Sequence, residues 1–241
     1  MKVIAGEVLE KGSISIKSDN NQHDYILRVL DINDLSAVMN LQSRLIDIME
    51  QKELYVPITE EEMVQLFEGA GEALGLYIDN KLYAACSLLS QVPYESNMAR
   101  ELNFSEEELF RVAQLELSLV DPDLRGHKLQ YRMAGILANR VRNKAEIRYL
   151  FTTVSPHNYP SIETVTSMGL YIAKLSKMYF DWDRYVVYRD FINPVQLDTA
   201  NTVIVANTSF EEQQELLKND YRGYSQFKDQ DGIKIMYAKK L

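Results

Sequence analysis

The chain has 241 residues, of which 46% are hydrophobic and 25% are charged, so it can build a sizeable core and long disordered stretches are not expected. Its formal net charge of −9 excludes a general nucleic-acid-binding protein, because no broad basic surface is available to neutralise phosphates. The same charge would suit a cationic substrate, although many proteins are acidic for solubility alone.

Cysteine and histidine usage narrows the class of protein further. Cys86 is the only cysteine and lies in an apolar run, so we interpret it as a small buried residue, with a reactive thiol as the alternative. His23, His127 and His157 do not have the spacing of metal ligands, so no metal is expected. The N-terminal residues lack the apolar region of a signal peptide, and no run reaches membrane-spanning length. We therefore expect a cytoplasmic protein without a membrane partner.

The chain opens with a weakly alternating segment that we interpret as an N-terminal extension, residues 1–24, with a hairpin. The strongly patterned part begins at Tyr25, where YILRVL predicts a strand. Asn33 or Asp34 can cap the helix that follows. Gln42 interrupts the apolar stripe of this helix, either as a polar residue at its edge or as a substrate contact.

Capping signals and a turn organise the next part of the chain. Thr59 and Glu62 have the spacing of a capping box and predict a second helix. The stretch GLYIDNKLYAACSLL predicts two strands joined by the Asp-Asn turn at residues 79–80. Ser105 and Glu108 repeat the capping-box spacing and predict a short third helix.

From residue 114 the predicted order is strand, helix, strand, helix, strand, strand. The strand QLELSLV leads to a helix over residues 126–144, and the strand IRYLFTTV leads to a helix over residues 159–168 that Gly169 ends. A strand–helix–strand connection of this length predicts parallel neighbours with a right-handed crossover. The sequence therefore predicts an α/β fold with a mixed sheet, antiparallel at its start and parallel in the middle.

An Asn-Pro pair opens a C-terminal accessory extension, residues 193–241, which we expect to pack on the main domain of residues 25–192. It contains a predicted strand (TVIVA), a helix capped by Ser209 with Glu212, and a hairpin at residues 231–232.

The segment from Val120 to Gln130 carries the clearest chemical signal, because a strand there runs through a short turn into a helix. The first turn of a helix offers unpaired amide groups and a partial positive charge, which suit a pyrophosphate. Arg125, His127 and Lys128 add cationic groups at the same place. Positive charge is unfavourable at a helix N-terminus, so this pattern indicates a bound anion, with a solvated basic turn as the alternative.

Two motifs in this order resemble those of the GCN5-related N-acetyltransferase (GNAT) family. V-x-P-x-x-R-G at residues 120–126 is similar to the family's acetyl-CoA-binding motif, and Asn158 followed by a helix ending in Gly169 and a bulky apolar residue is similar to its later motif. The resemblance covers residues 25–192. It implies a mixed central sheet with two splayed parallel strands, flanked by helices, and direct transfer of an acetyl group from acetyl-CoA to a primary amine through a ternary complex.

The resemblance also implies where the cofactor would bind. The pantetheine arm would lie between the strands QLELSLV and IRYLFTTV, and backbone amides after the first strand would hold the pyrophosphate. The residues implied to contact acetyl-CoA are Leu119, Val120, Arg125, Gly126, His127, Lys128, Leu129, Gln130, Asn158 and Ser161.

The chain departs from the family pattern in two places. Lys128 and Gln130 stand where the family usually has glycine, or glycine then alanine, and glycine there lets the backbone approach a phosphate closely. Val165 stands where many members carry a tyrosine that protonates the departing thiolate. Protonation would then need Ser161, Tyr159 or a water, or no donor at all.

Direct transfer needs a base that takes a proton from the acceptor's ammonium group, and Glu116 is the leading candidate. Alternation places Glu116, Ser118 and Val120 on one face of their strand. A carboxylate on an inner strand is unfavourable unless it is paired or lies at a cleft, so a structural hydrogen-bonding role is the alternative. The predicted catalytic residues are thus Glu116 and Ser161, with the Leu119 amide near the oxyanion.

A second class of function remains open beside the enzyme. A non-catalytic acyl-CoA-binding or interaction module could retain the same fold, and a longer acyl or an aminoacyl donor could replace acetyl-CoA. The acceptor is a small-molecule or peptide amine that the sequence does not identify. Dimerisation is common in the family, so a homodimer is a further open alternative.

Overall fold

The computed structural model describes residues 6–241, which form an α/β structure. Its strands are β1 Val8–Ser15, β2 Gln22–Val29, β3 Gly71–Ile78, β4 Lys81–Leu89, β5 Val112–Val120, β6 Tyr149–Val154, β7 Tyr171–Met178, β8 Trp182–Asp190, β9 Leu197–Ala206, β10 Tyr221–Asp229 and β11 Gly232–Lys240. Its α-helices are α1 Leu35–Asp47, α2 Glu60–Gln65, α3 Glu106–Leu109, α4 Leu129–Arg142, α5 Tyr159–Ser167 and α6 Phe210–Lys218.

The described residues divide into two compact units built from interleaved segments. The first unit comprises residues 6–52, Pro57–Val92 and Leu115–Lys144. The second comprises Glu53–Val56, Pro93–Gln114 and Ala145–Leu241. The sequence predicts consecutive domains with boundaries at residues 24 and 192, whereas these units consist of interleaved segments. The predicted domain boundaries stay a prediction. Within residues 6–241, no helix combines the length and the apolar character that crossing a membrane requires.

In the first unit, β1 to β4 follow one another in antiparallel pairs, and the later part of β5 comes next in the strand order. The sequence predicts the turn between β3 and β4 correctly, because Asp79 and Asn80 both have positive φ there. Helix α4 packs on β3 and β4, and α1 packs on β4. The apolar faces of these helices and strands form the core of the unit.

The start of α1 differs from the prediction. Asp31, rather than Asn33 or Asp34, caps the chain here, by accepting from the Asn33 amide at the start of a short 3-10 turn. Asp34 does precede α1 but makes no side-chain cap on that helix. Its carboxylate accepts from Arg28 at 2.6 and 2.8 Å, from the Tyr77 hydroxyl at 2.6 Å and from the Asp31 amide at 3.0 Å, and the last bond completes the capping box of the 3-10 turn. Asp34, which the sequence predicted as a cap, therefore links the start of α1 to β2 and β3 through hydrogen bonds.

The second unit contains a mixed sheet, as predicted. Residues Val112–Gln114 of β5 pair in parallel with Tyr149–Phe151 of β6, while β6 pairs in antiparallel fashion with β8 along its whole length. The order continues from β8 to β7, β10, β11 and β9. The turn between β7 and β8 is Tyr179, Phe180 and Asp181, and both Tyr179 and Asp181 have positive φ.

The C-terminal elements appear in the predicted order of strand, helix and hairpin, and β10 pairs with β7 at Gly223. The predicted capping box of α6 is wrong, because Ser209 precedes the helix without a side-chain cap. What anchors α6 is Gln213, which is fully buried and accepts from the hydroxyls of Tyr185 at 2.6 Å and Tyr237 at 2.8 Å.

Candidate active-site residues

The part of β5 that lies in the first unit alternates as the sequence predicts. Leu115, Leu117 and Leu119 are buried, whereas Glu116, Ser118 and Val120 are half-buried. Glu116 therefore belongs to the less buried face of its strand, as a residue that receives a proton from a ligand must.

The turn after β5 is held by its first residue. Asp121 is buried, and its carboxylate accepts from Arg44 at 3.2 Å and from the Asp123 amide at 3.2 Å, while its own amide donates to the Tyr83 carbonyl at 2.8 Å. Leu124 is fully buried and closes a 3-10 turn. These contacts fix the path of the chain immediately before the predicted anion-binding residues.

The next four residues, Arg125 to Lys128, are all exposed. Gly126 has a φ of +98° and Lys128 has a φ of +55°, so both lie in the left-handed region. The chain therefore turns sharply twice before α4 begins at Leu129, three residues later than predicted. Lys128 therefore adopts a backbone conformation that glycine reaches more easily than lysine.

The first turn of α4 presents backbone amides in the usual way. The first bond of the helical ladder is donated by the Arg132 amide to the Lys128 carbonyl at 3.0 Å, so the ladder starts from the exposed residue that precedes α4. The Arg125 amide, in contrast, donates to the Pro122 carbonyl at 3.2 Å. Arg125 can therefore contribute its guanidinium rather than its backbone to an anion.

Two side chains, His127 and Arg132, make contacts that the sequence did not reveal and that hold the start of α4 against β1 and β2. His127 Nε2 lies 3.0 Å from the Ser15 carbonyl oxygen. Arg132 pairs with Glu10 and donates to the Tyr25 hydroxyl at 2.6 Å. No local pattern signals either contact, because the partners are more than 100 residues apart in the chain.

In the second unit, Asn158 immediately precedes α5. Its side-chain oxygen accepts from the Ser161 amide at 3.2 Å, and its side-chain nitrogen donates to the Leu54 carbonyl at 3.1 Å. Asn158 thus caps the helix and ties the segment Glu53–Val56 to it. Ser161, one turn into the helix, is half-buried.

Val165, at the position where many GNAT members carry a tyrosine, is 4% exposed and contributes to the core. Tyr159 and Ser161 on the same helix both retain exposed surface. Of the predicted proton donors, these two side chains are therefore accessible from solvent.

A buried arginine that the sequence analysis missed lies on β8. Arg184 is only 4% exposed, and its guanidinium donates to the carbonyls of Glu53 at 3.1 Å and Thr153 at 3.3 Å. Burial lowers the pKa of Arg184 to about 10, because desolvation disfavours the charged form. The only signal in the sequence was an arginine beside the apolar run YVVY.

Other predicted features have structural explanations. Cys86 is 1% exposed, and burial raises the pKa of its thiol to about 12, so it is a core residue and not a reactive one. Gln42 exchanges two hydrogen bonds with the backbone of Ile58, at 2.9 and 3.0 Å, which gives it a structural role. Among residues 6–241, no group of three or more histidine, cysteine and acidic residues could hold a metal ion.

Comparison with known proteins relates this arrangement to solved structures. No family model and no curated protein sequence matches the chain. Among solved structures, it is similar to yncA of Salmonella typhimurium, whose structure contains its cofactor acetyl-CoA, with a TM-score of 0.52, 12% identity, and coverage of 69% of this chain and 93% of that one.

Two further structures show the same likeness. An acetyltransferase of the GNAT family from Streptococcus pneumoniae has a TM-score of 0.51 and 11% identity over 69% of this chain and 99% of its own. A ribosomal-protein-alanine N-acetyltransferase from Brucella melitensis has a TM-score of 0.52 and 15% identity over 68% of this chain and 99% of its own. The predicted resemblance is therefore confirmed at the level of structure: this chain has the fold of the GNAT acetyltransferases.

Proposed function

We propose that this chain transfers an acetyl group from acetyl-CoA directly to a primary amine. The observation that carries the proposal is the turn before α4, where Lys128 adopts a left-handed conformation and Arg125, His127 and Lys128 are exposed together at a helix N-terminus. Such a site suits a diphosphate, because helix amides and cationic side chains act on the same anion. The fold of the chain supports the same function.

The residues after β5 fit this anion. An added Cβ at Gly126 would meet no atom within 4 Å, so the space over this glycine is open. We propose that the guanidinium of Arg125, the side chains of His127 and Lys128 and the first amides of α4 hold the pyrophosphate. The remaining proposed contacts, with the pantetheine arm and the thioester, are Leu119, Val120, Asn158 and Ser161.

Three residues would assist the transfer. Glu116 takes a proton from the acceptor ammonium, directly or through a water, and the amine nitrogen then attacks the thioester carbon. A carbon–nitrogen bond forms and the carbon–sulfur bond breaks, while the Leu119 amide stabilises the oxyanion. The thiolate takes its proton from Ser161 or from a water.

A non-catalytic acyl-CoA-binding module is the second candidate function. The observation that favours it is Val165, which is buried where a proton donor would stand. The left-handed conformation of Lys128 weakens the other argument for this candidate, since the lysine lies in a backbone region that glycine favours.

Turnover distinguishes the two candidates. The purified protein is incubated with acetyl-CoA and a panel of small-molecule and peptide amines, and free thiol and acetylated product are both measured. We expect turnover, and we expect Glu116→Gln to lower kcat by about 100- to 10,000-fold while the acetyl-CoA dissociation constant stays unchanged. The control is Glu107→Gln, since Glu107 is exposed on α3. Binding of acetyl-CoA without acetylation of any amine would favour the non-catalytic module.

A further inference from the structure

Arg184 lacks what buried arginines ordinarily have, a carboxylate partner. Its Nη1 and Nη2 atoms donate to backbone carbonyls, and its Nε atom is buried without a hydrogen-bond partner. Among residues 6–241, no Asp or Glu lies within ion-pair distance of it. Burying an unpaired charge is unfavourable by several kcal/mol as an order of magnitude, so a purely structural role does not account for a charged side chain here.

The charged neighbours of Arg184 do not supply the missing anion. Asp183, the preceding residue, pairs with Lys177 at 2.9 Å and is therefore already neutralised. Glu53 contributes its carbonyl oxygen to Arg184, not its carboxylate. Two bonds to carbonyls could equally be made by a neutral amide side chain, so the positive charge itself needs an explanation.

Hydroxyl groups accompany the guanidinium. Thr153 Oγ1 lies 3.5 Å from Arg184 Nη2 and 3.1 Å from the Tyr179 hydroxyl oxygen. The guanidinium carbon lies 5.9 Å from the centre of the Tyr179 ring. One fixed cation with two hydroxyls matches a carboxylate, which accepts a planar pair of bonds from arginine and further bonds from hydroxyls.

Tyr179 covers the guanidinium from a strained turn. Its φ is +59°, a conformation that costs an aromatic residue about 1 kcal/mol or more, and its side chain is 48% exposed. Because the covering residue is half in solvent and lies in a three-residue turn, its side chain can move aside without disturbing the core. Phe180 next to it is 66% exposed, and its ring centre lies 4.7 Å from that of Trp182 with the ring planes tilted by 50°, so exposed aromatic surface follows Tyr179 in the same turn.

We propose that Arg184, with Thr153 and under the cover of Tyr179, binds a carboxylate of the acceptor, so that the acceptor is an amine of the amino-acid class. This inference rests on the proposed function, since it names the substrate of that reaction. The phosphates of acetyl-CoA are the other source of anions. A phosphate group carries more charge than one guanidinium can balance, and Lys177, the neighbouring cation, is already paired with Asp183.

The test compares each amino acid with the amine that remains after its decarboxylation, for example phenylalanine with phenylethylamine. The wild type should acetylate the acid with a kcat/KM about 10- to 100-fold above that of the amine, as charge-assisted hydrogen bonds permit. Arg184→Gln should abolish this preference by raising KM for the acid, while the acetyl-CoA dissociation constant is unchanged. Arg184→Lys keeps the positive charge but loses the planar guanidinium that donates two parallel hydrogen bonds, so it should retain part of the preference for the acid.

The control variant is Arg189→Gln, since Arg189 lies on the same strand and donates to the Met168 carbonyl at 2.7 Å. It should leave the preference unchanged. Equal rates for acid and amine in the wild type would overturn this inference and leave the proposed function intact. Weaker acetyl-CoA binding in Arg184→Gln would assign Arg184 to the cofactor and overturn it as well.

A binding readout keeps the two proposals separable. If no amine is acetylated, the melting temperature of the wild type is measured with the same acids and amines. Stabilisation by the acids alone, lost in the Arg184 variants, would support the carboxylate site without the transfer reaction. No difference between acids and amines would overturn the site. If Arg184→Gln does not fold, Arg184→Lys and the paired ligands on the wild type decide the same question.

Discussion

The turn at residues 125–128 and the cluster around Arg184 both offer positive charge to an anion, but in opposite settings. The turn is exposed, its shape is set by two positive φ angles, and water solvates its cations in the absence of a ligand. Arg184 is 4% exposed and hydrogen-bonded to backbone carbonyls, with no carboxylate partner among the described residues. An exposed cationic turn is therefore tolerated without its ligand, whereas a buried unpaired arginine makes the protein less stable until an anion binds.

Arg148, which lies in the second unit like Arg184, shows how strongly a paired arginine should stabilise the protein. Arg148 donates to both carboxylate oxygens of Asp190 at 2.6 to 3.1 Å, and Asp190 is buried. Arg148→Met should lower the free energy of unfolding by about 3 kcal/mol, because it leaves a buried carboxylate without its partner. Urea denaturation at neutral pH measures this loss, and a loss below about 1 kcal/mol would contradict it.

The same pair gives a pH dependence. Burial alone would raise the pKa of Asp190, but hydrogen bonds from Arg148 and from the amides of Asn193 and Ile192 lower it below its usual value. A carboxyl with a lowered pKa in the folded state stabilises the protein above its unfolded pKa of about 3.9, and this contribution is lost as the pH falls through the folded pKa. The stability difference between the wild type and Arg148→Met should therefore shrink below about pH 4.

The turn is tested by Lys128→Gly. Glycine adopts the left-handed conformation without strain, and this gain exceeds its greater loss of entropy on folding, so the free energy of unfolding should rise by about 0.5–1 kcal/mol. The control is Gln130→Gly inside the first turn of α4, which should lower stability by about 1 kcal/mol. Opposite signs for the two variants would separate backbone conformation from helix propensity, and a loss for both would show that the Lys128 side chain stabilises the turn.

Arg184→Met should have the smallest effect on stability. Removing the buried charge relieves its desolvation penalty, while two hydrogen bonds to carbonyls are lost, so we expect a change below about 1 kcal/mol in either direction. Urea denaturation beside Arg148→Met provides the measurement. A loss as large as that of Arg148→Met would mean that Arg184 is structural, and the comparison between the turn and the cluster would then fail.

Much of the fold was predictable because its signals are local. Asp79 and Asn80 accept positive φ in a tight turn, Ser105 and Glu108 form the capping box of α3 in the structure, and Gly169 ends α5 with positive φ. The predicted cap of α1 did not form, because the Asp34 carboxylate accepts instead from Arg28, Tyr77 and the Asp31 amide. A capping pattern shows which bonds a residue can make locally, and side chains from neighbouring strands change which bond forms.

The candidate sites likewise include a part that could be predicted from consecutive residues and a part that could not. The turn was recognisable because its residues are consecutive and their charge is unusual at the start of a helix. The left-handed conformation of Lys128 was not predicted, since lysine has no preference for it. Arg184 was missed because its partners, Glu53 and Thr153, lie 131 and 31 residues away in the chain. A buried arginine cannot be told from a surface one within an apolar run until its neighbours are known.

The central claim is that the turn at residues 125–128 binds acetyl-CoA through its phosphates. Isothermal titration of the purified protein with acetyl-CoA tests it, with Arg125→Glu as the variant and Arg142→Glu, an exposed position in the last turn of α4, as the control. We predict a micromolar dissociation constant for the wild type and the control, and a loss of about 100-fold or more for Arg125→Glu, which replaces an attraction by a repulsion. Absence of binding by the wild type, or equal affinity for all three proteins, would contradict the account.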